Sequence, residues 1–165
     1  MTCIRCGGVL KSSRGTHHYT EAGLSNVTLV DVEVRVCVRC GDRELVTPRV
    51  EVLHGAIARS LSRQDGPLAP EAVRFLRKWL NLTIHQFARV MGVRGETVCR
   101  WERAKGSSRL PPPTERLLRL LVALHESADA YPLDLLSGTR PTRAAPIVLV
   151  SPDWREEAAE KSDPL

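Results

Sequence analysis

The chain contains no uninterrupted apolar run approaching the roughly 20 residues that cross a bilayer, so it is read as having no membrane partner. Its first residues, Met1-Thr2-Cys3-Ile4-Arg5-Cys6, lack the apolar core of a signal peptide. The expectation is a cytoplasmic protein, where five cysteines do not make a disulfide framework. Internal repeats are absent. So are a paired nucleophile and base, a phosphate-cradling loop and an open metal position, and the chain is therefore not expected to be an enzyme. Lysine is scarce: of 24 basic residues 20 are arginine. That preference suits phosphate and guanine contacts, although a compositional bias of a whole proteome explains it equally well.

What is present is the composition of an ordinary folded protein, 42% hydrophobic and 26% charged, in 165 residues that accommodate one or two small domains. Charge is unevenly spread. Residues 1–66 carry 9 basic and 7 acidic side chains, residues 67–126 carry 11 and 5, and residues 127–165 carry 4 and 7. The middle third is thus the basic part, and the end is acidic.

Two cysteine pairs, Cys3-x-x-Cys6 and Cys37-x-x-Cys40, bracket the first segment. Between them Val30, Val32, Val34 and Val36 alternate with Asp31, Glu33 and Arg35, the period of a half-buried strand that delivers Cys37 to the second pair. Thr47-Pro48 reads as a cap and first helical residue, with Val50, Leu53, Ile57 and Leu61 at helical spacing to about Ser62. Gln64-Asp65-Gly66-Pro67 breaks that helix.

From Leu68 to Glu126 the periodicity is helical. One helix starts at Pro70, a second spans Ile84 to Met91, a third Glu96 to Arg103, and a fourth starts at Thr114 after a Pro-rich loop. Pro132 to Leu136 adds a further turn. Four prolines and the acidic residues Glu156, Glu157 and Glu160 make 137–165 a flexible tail, in which Ile147-Val148-Leu149-Val150 is an added strand or docking segment. The expected class is α+β. A small zinc-ribbon-like domain with a trailing helix (1–63) and a linker (64–68) lead into an all-α helix-turn-helix domain of about five helices (69–136), followed by the tail.

Each Cys-x-x-Cys turn can point two sulfurs at one ion, so Cys3, Cys6, Cys37 and Cys40 supply four thiolates for tetrahedral Zn2+. Gly7, Gly8 and Gly41 allow the tight backbone that turns amides toward sulfur. A closed four-Cys site leaves no position for water, which makes one zinc per chain a structural cofactor. A redox dithiol, an iron centre and two unrelated pairs are the competing readings. His17 and His18 are read as loop residues rather than ligands. Cys99, alone on a helix, is read as a small half-buried residue rather than a redox sensor.

The stretch Leu82-Thr83-x-x-x-Phe87-Ala88-x-x-x-Gly92-Val93-x-x-x-Thr97-Val98-x-Arg100-Trp101-Glu102 has the logic of a helix-turn-helix. Ala88 lets two helices cross closely, Gly92 permits a left-handed turn residue, Val93 plugs the corner, and Val98 and Trp101 anchor the second helix. Arg94, Gly95, Glu96, Thr97 and Arg100 then face the bases of double-stranded DNA. Arg103, Lys105, Arg77, Lys78 and Thr83 face its phosphates. A single such helix reads about four to five base pairs, so a homodimer is expected, with Leu117, Leu121 and Leu124 as its interface.

These two motif sets in this order, with Leu68-Ala69-Pro70-Glu71 between them, resemble the MqsA-type antitoxins, in which a YgiT-type zinc-binding domain precedes an Xre-type helix-turn-helix. The resemblance covers about residues 1–136. It implies a dimer formed through the helical domain, repression of the protein's own operon at a palindromic operator, and neutralisation of a toxin, commonly an mRNA-cleaving ribonuclease, through the zinc domain. By position the family's base-reading Asn and Arg fall on Glu96 and Arg100. The Asn-to-Glu departure implies a different operator, since a carboxylate accepts from cytosine N4. Ile84 stands where many Xre-type proteins carry a phosphate-contacting Gln. A regulator of the same architecture without a toxin partner is the alternative reading.

Overall fold

The computed structural model describes residues 1–103, 109–126, 147–152 and 155–156. In chain order these form β1 (Leu10–His18), β2 (Val27–Cys37), β3 (Arg43–Val46), α1 (Val50–Arg63), α2 (Pro70–Trp79), α3 (Ile84–Met91), α4 (Gly95–Trp101), α5 (Pro112–Glu126), β4 (Ile147–Val150) and β5 (Arg155–Glu156). The class is α+β.

The central strand is β2. Antiparallel β1 lies along one edge; the other edge takes β3 opposite Glu33–Val36 and parallel β4 opposite Val27–Val30, with β5 beyond β4. A parallel pair needs a long crossover, and here the crossover contains the five helices of the described residues. The alternation expected for β2 is interrupted. Gly15 faces Val32 whereas His17 faces Leu29, so β2 has one extra residue at this point, and Asp31 sits there with φ 56°. This bulge keeps Val27 and Leu29 in the core on one side of it and Val32 and Val34 on the other. Val30 is consequently only half-buried. β1 was not apparent from hydrophobic alternation because every residue except Leu10 and His17 is exposed.

The helices start close to their sequence signals. Pro70 begins α2 with Ala69 as its cap, and α3 opens on a capping box in which the Thr83 hydroxyl accepts from the Gln86 amide and the Gln86 side chain accepts from the Thr83 amide. Two boundaries differ. α1 begins at Val50, not at Pro48, because Arg49 takes the left-handed conformation at the cap. α4 is Gly95–Trp101 instead of Glu96–Arg103, with Glu102 at its C-cap.

One hydrophobic core runs through sheet and helices. It joins Val27, Leu29 and Val32 of β2 and Ile147 and Leu149 of β4 to Leu53, Ile57 and Leu61 of α1, then to Leu76, Phe87, Val98 and Leu118. Ile147 and Leu149 are fully buried, so of the two roles expected for this stretch it takes the added strand, and an interior one. The expected linker is likewise no free spacer: Leu68 is in the core, and the carbonyls of Gln64 and Gly66 each accept a hydrogen bond from Arg119. Pro132–Leu136 and the acidic residues Glu157 and Glu160 lie outside the described residues.

Candidate functional site

The first cysteine pair stands before β1, and β2 ends on Cys37. The two Cys-x-x-Cys turns repeat each other closely. In each, the amide of the glycine four residues after the first cysteine, Gly7 or Gly41, donates to that cysteine's carbonyl at 2.8 or 2.9 Å. Both glycines have positive φ, 71° and 72°, which only glycine adopts without strain. The first cysteine's own amide donates to the residue five positions on, Gly8 or Asp42. An isolated bridge between Thr2 and Val9 closes the first turn, and the bond from the Val38 amide to the Val9 carbonyl ties it to the second.

The Sγ atoms of Cys3, Cys6, Cys37 and Cys40 all lie within 4.8 Å of one another. Cys6 and Cys37 are 3.5 Å apart, and Cys3 and Cys40 are 3.7 Å apart. Sulfurs around a tetrahedral ion with 2.3 Å bonds stand about 3.8 Å apart, whereas a disulfide requires about 2.05 Å. The donor set therefore fits a metal ion. Gly8 shows how tightly the turns close: a Cβ there would stand 2.8 Å from Cβ of Arg39 and 3.0 Å from Sγ of Cys37. No side chain larger than hydrogen fits without moving the cluster.

Amide groups prepare one thiolate. The N–H groups of Cys40 and Arg39 point at the Cys37 sulfur and bring its pKa down to about 6. Cys6 behaves oppositely. The Gly8 amide favours its thiolate, but the neighbouring sulfurs of Cys40 and Cys37 outweigh that and push it up to about 12. Four sulfurs at these distances cannot all ionise unaided, and a bound cation removes the obstacle.

The second candidate surface is on α3 and α4. α3 ends on Gly92 in the left-handed conformation (φ 67°), and the Val93 amide closes the turn onto the Ala88 carbonyl at 2.9 Å. Ala88, Val98 and Trp101 are buried. Arg94, Glu96 and Arg100 are exposed, Gly95 and Thr97 half-buried, and Arg100 donates to the Thr97 hydroxyl at 3.3 Å. The arrangement leaves one arginine and one carboxylate a turn apart on an accessible helix face.

Of the expected phosphate contacts, Lys78, Thr83 and Arg103 are exposed, and Lys105 lies outside the described residues. Arg77 is a correction. It is buried, holds both carboxylate oxygens of Glu102 at 2.5 and 3.0 Å, and donates to the Leu82 carbonyl at 2.7 Å. Taking it to a phosphate would strand a buried carboxylate, so it braces α2 against the ends of α3 and α4 instead. Nothing in the sequence marked Glu102 as its partner. Leu117 and Leu124 stand partly exposed on α5 with Leu120 beside them, and Leu121 is half-buried. Cys99 is half-buried.

Among the described residues no helix is long and apolar enough to cross a membrane. Comparison with protein-family models, characterised proteins and solved structures finds no match to this chain.

Proposed function

We propose that the protein is a sequence-specific DNA-binding repressor, built on a zinc-ribbon-like sheet whose four cysteines hold one structural Zn2+. The observation that carries the DNA reading is the α3–α4 pair, where Val98 and Trp101 are buried while Glu96 and Arg100 stand accessible on the same short helix and Arg94 at its N-cap. Arg100 bonds a guanine bidentately, and Glu96 accepts from cytosine or orients Arg100. Lys78, Thr83 and Arg103 face phosphates. Two copies meet through Leu117, Leu121 and Leu124 of α5, which gives the two half-site contacts that useful specificity requires.

Binding of the DNA upstream of the protein's own gene, against random duplex and across salt concentrations, tests this. Arg100→Ala is expected to weaken operator binding by about 1–3 kcal/mol and to leave random-duplex binding nearly unchanged. Equal losses on both DNAs would make Arg100 a phosphate contact and remove α4 as the reading helix.

The metal reading has its own measurement. Protein purified under reducing conditions should contain one zinc per chain, and an absence of zinc would overturn it. The antitoxin role rests on the resemblance alone. Co-purification of a small ribonuclease encoded beside this gene would support it, and an isolated gene would favour the free-standing regulator.

A further inference from the structure

Within the cluster, where all four sulfurs lie within 4.8 Å of one another, two contacts cross from turn to turn, and each joins a more accessible cysteine to a buried one. Cys40 is exposed and lies 3.7 Å from Cys3, which is buried; Cys6 is half-buried and lies 3.5 Å from Cys37, which is also buried. The side chains between the ligands turn outward: Ile4 is 96% and Val38 58% exposed, so neither shields the outer sulfurs. An oxidant can reach one sulfur of each pair, with a second already in place to resolve the product.

We propose that the cluster is an oxidation site at which hydrogen peroxide replaces the metal crosslink with two disulfides, Cys3–Cys40 and Cys6–Cys37, so that the ion leaves while the sheet stays folded. This rests on the metal reading above. The outer thiolate, Cys40, attacks a peroxide oxygen; the O–O bond breaks, hydroxide leaves and a sulfenic acid forms. The Cys3 thiolate then attacks that sulfur, the S–S bond forms and a second hydroxide leaves. Two thiolates lose two electrons in total, and one peroxide with two protons becomes two waters. A second peroxide oxidises Cys6 and Cys37 in the same way. Each pair closes from its present separation to about 2.05 Å, with the two turns already bonded together.

The pairing decides what oxidation does to the fold. Disulfides within each Cys-x-x-Cys would leave the turns joined by backbone bonds alone. Disulfides across them close loops with sequence separations of 37 and 31, which restrict the unfolded chain as the ion does. Oxidative loss of metal and loss to a chelator should therefore leave different proteins.

The test uses the full zinc-loaded chain, treated with hydrogen peroxide, with released zinc read by a colorimetric chelator and disulfides mapped after trypsin digestion. Arg5 lies between Cys3 and Cys6, and Arg39 between Cys37 and Cys40, so trypsin puts each of the four on its own peptide: 1–5, 6–11, 36–39 and 40–43. Expected are zinc release, the linked peptides Cys3–Cys40 and Cys6–Cys37, and a melting temperature above that of reduced, chelator-treated protein. Any other pairing, sulfinic or sulfonic acids without disulfides, retained zinc, or a melt no higher than that of the chelated protein would overturn the proposal. Starting protein without metal would instead overturn the metal reading, while the disulfide map of that same sample would still decide the pairing.

Discussion

A chain carrying Ile147→Ala together with Leu149→Ala is expected to lose the cooperative folding of its sheet. Both side chains are fully buried, on a strand that pairs with Val27–Val30 of β2 and faces α1. Truncating a buried Leu or Ile to Ala costs about 2–5 kcal/mol, the removed apolar contact plus the cavity left behind. The two together approach the whole stability of a typical domain, about 5–15 kcal/mol. Val52→Ala on the exposed side of α1 is the matched control and should change stability by less than about 1 kcal/mol. Urea titration followed by circular dichroism reads the difference. A double variant within about 1 kcal/mol of the parent would mean that β4 is not part of the folded core.

That strand shows where a sequence is readable and where it is not. Ile147–Val150 is apolar, but its neighbours in the chain are prolines and acids, and a four-residue run does not say which distant edge it will join. The helices were legible because their termini carry local chemistry: Pro70 at a first position, Thr83 with Gln86 as a capping box, Gly92 at a left-handed residue. The cysteine cluster was legible because the ligands come in pairs whose spacing has a geometric purpose. β1 was hidden for the opposite reason, since a strand exposed on both faces needs no hydrophobic period. The bulge at Asp31 was hidden within a run of valines that continues across it, because alternation in composition does not reveal a change of face.

Buried arginines escape sequence reasoning most completely. Arg77 looked like a surface cation on an amphipathic helix, and its partner Glu102 lies 25 residues away. Arg119 had a local hint, Glu115 four residues before it, but the same spacing occurs on solvated helix faces, where it contributes only a few tenths of a kcal/mol. What separates the two cases is burial, which depends on where the rest of the chain goes.

Arg119→Met is the second large effect expected. The guanidinium is 1% exposed and places all five of its N–H groups. Nε and one Nη2 hydrogen go to Glu115, at 3.1 and 2.9 Å; Nη1 donates to the carbonyls of Ser62 and Gln64, at 2.9 and 2.7 Å, and Nη2 also to that of Gly66, at 2.7 Å. These carbonyls belong to the end of α1 and the stretch beyond it, where a helix leaves acceptors without partners. Arg119 thus caps α1 from α5 and fixes the passage from the sheet into the helices. Methionine matches the volume but donates nothing, so the buried carboxylate and the three carbonyls all lose their bonds to the guanidinium, at a cost of about 3–5 kcal/mol. Arg119→Lys keeps the charge but offers three donors in place of five, so it should recover only part of the loss. Limited proteolysis reads the local consequence: cleavage at Arg63, resisted by the parent, should become fast in Arg119→Met before the rest of the chain opens. A stability loss below about 1 kcal/mol, with Arg63 still protected, would show that the α1–α5 contact holds through its apolar residues alone.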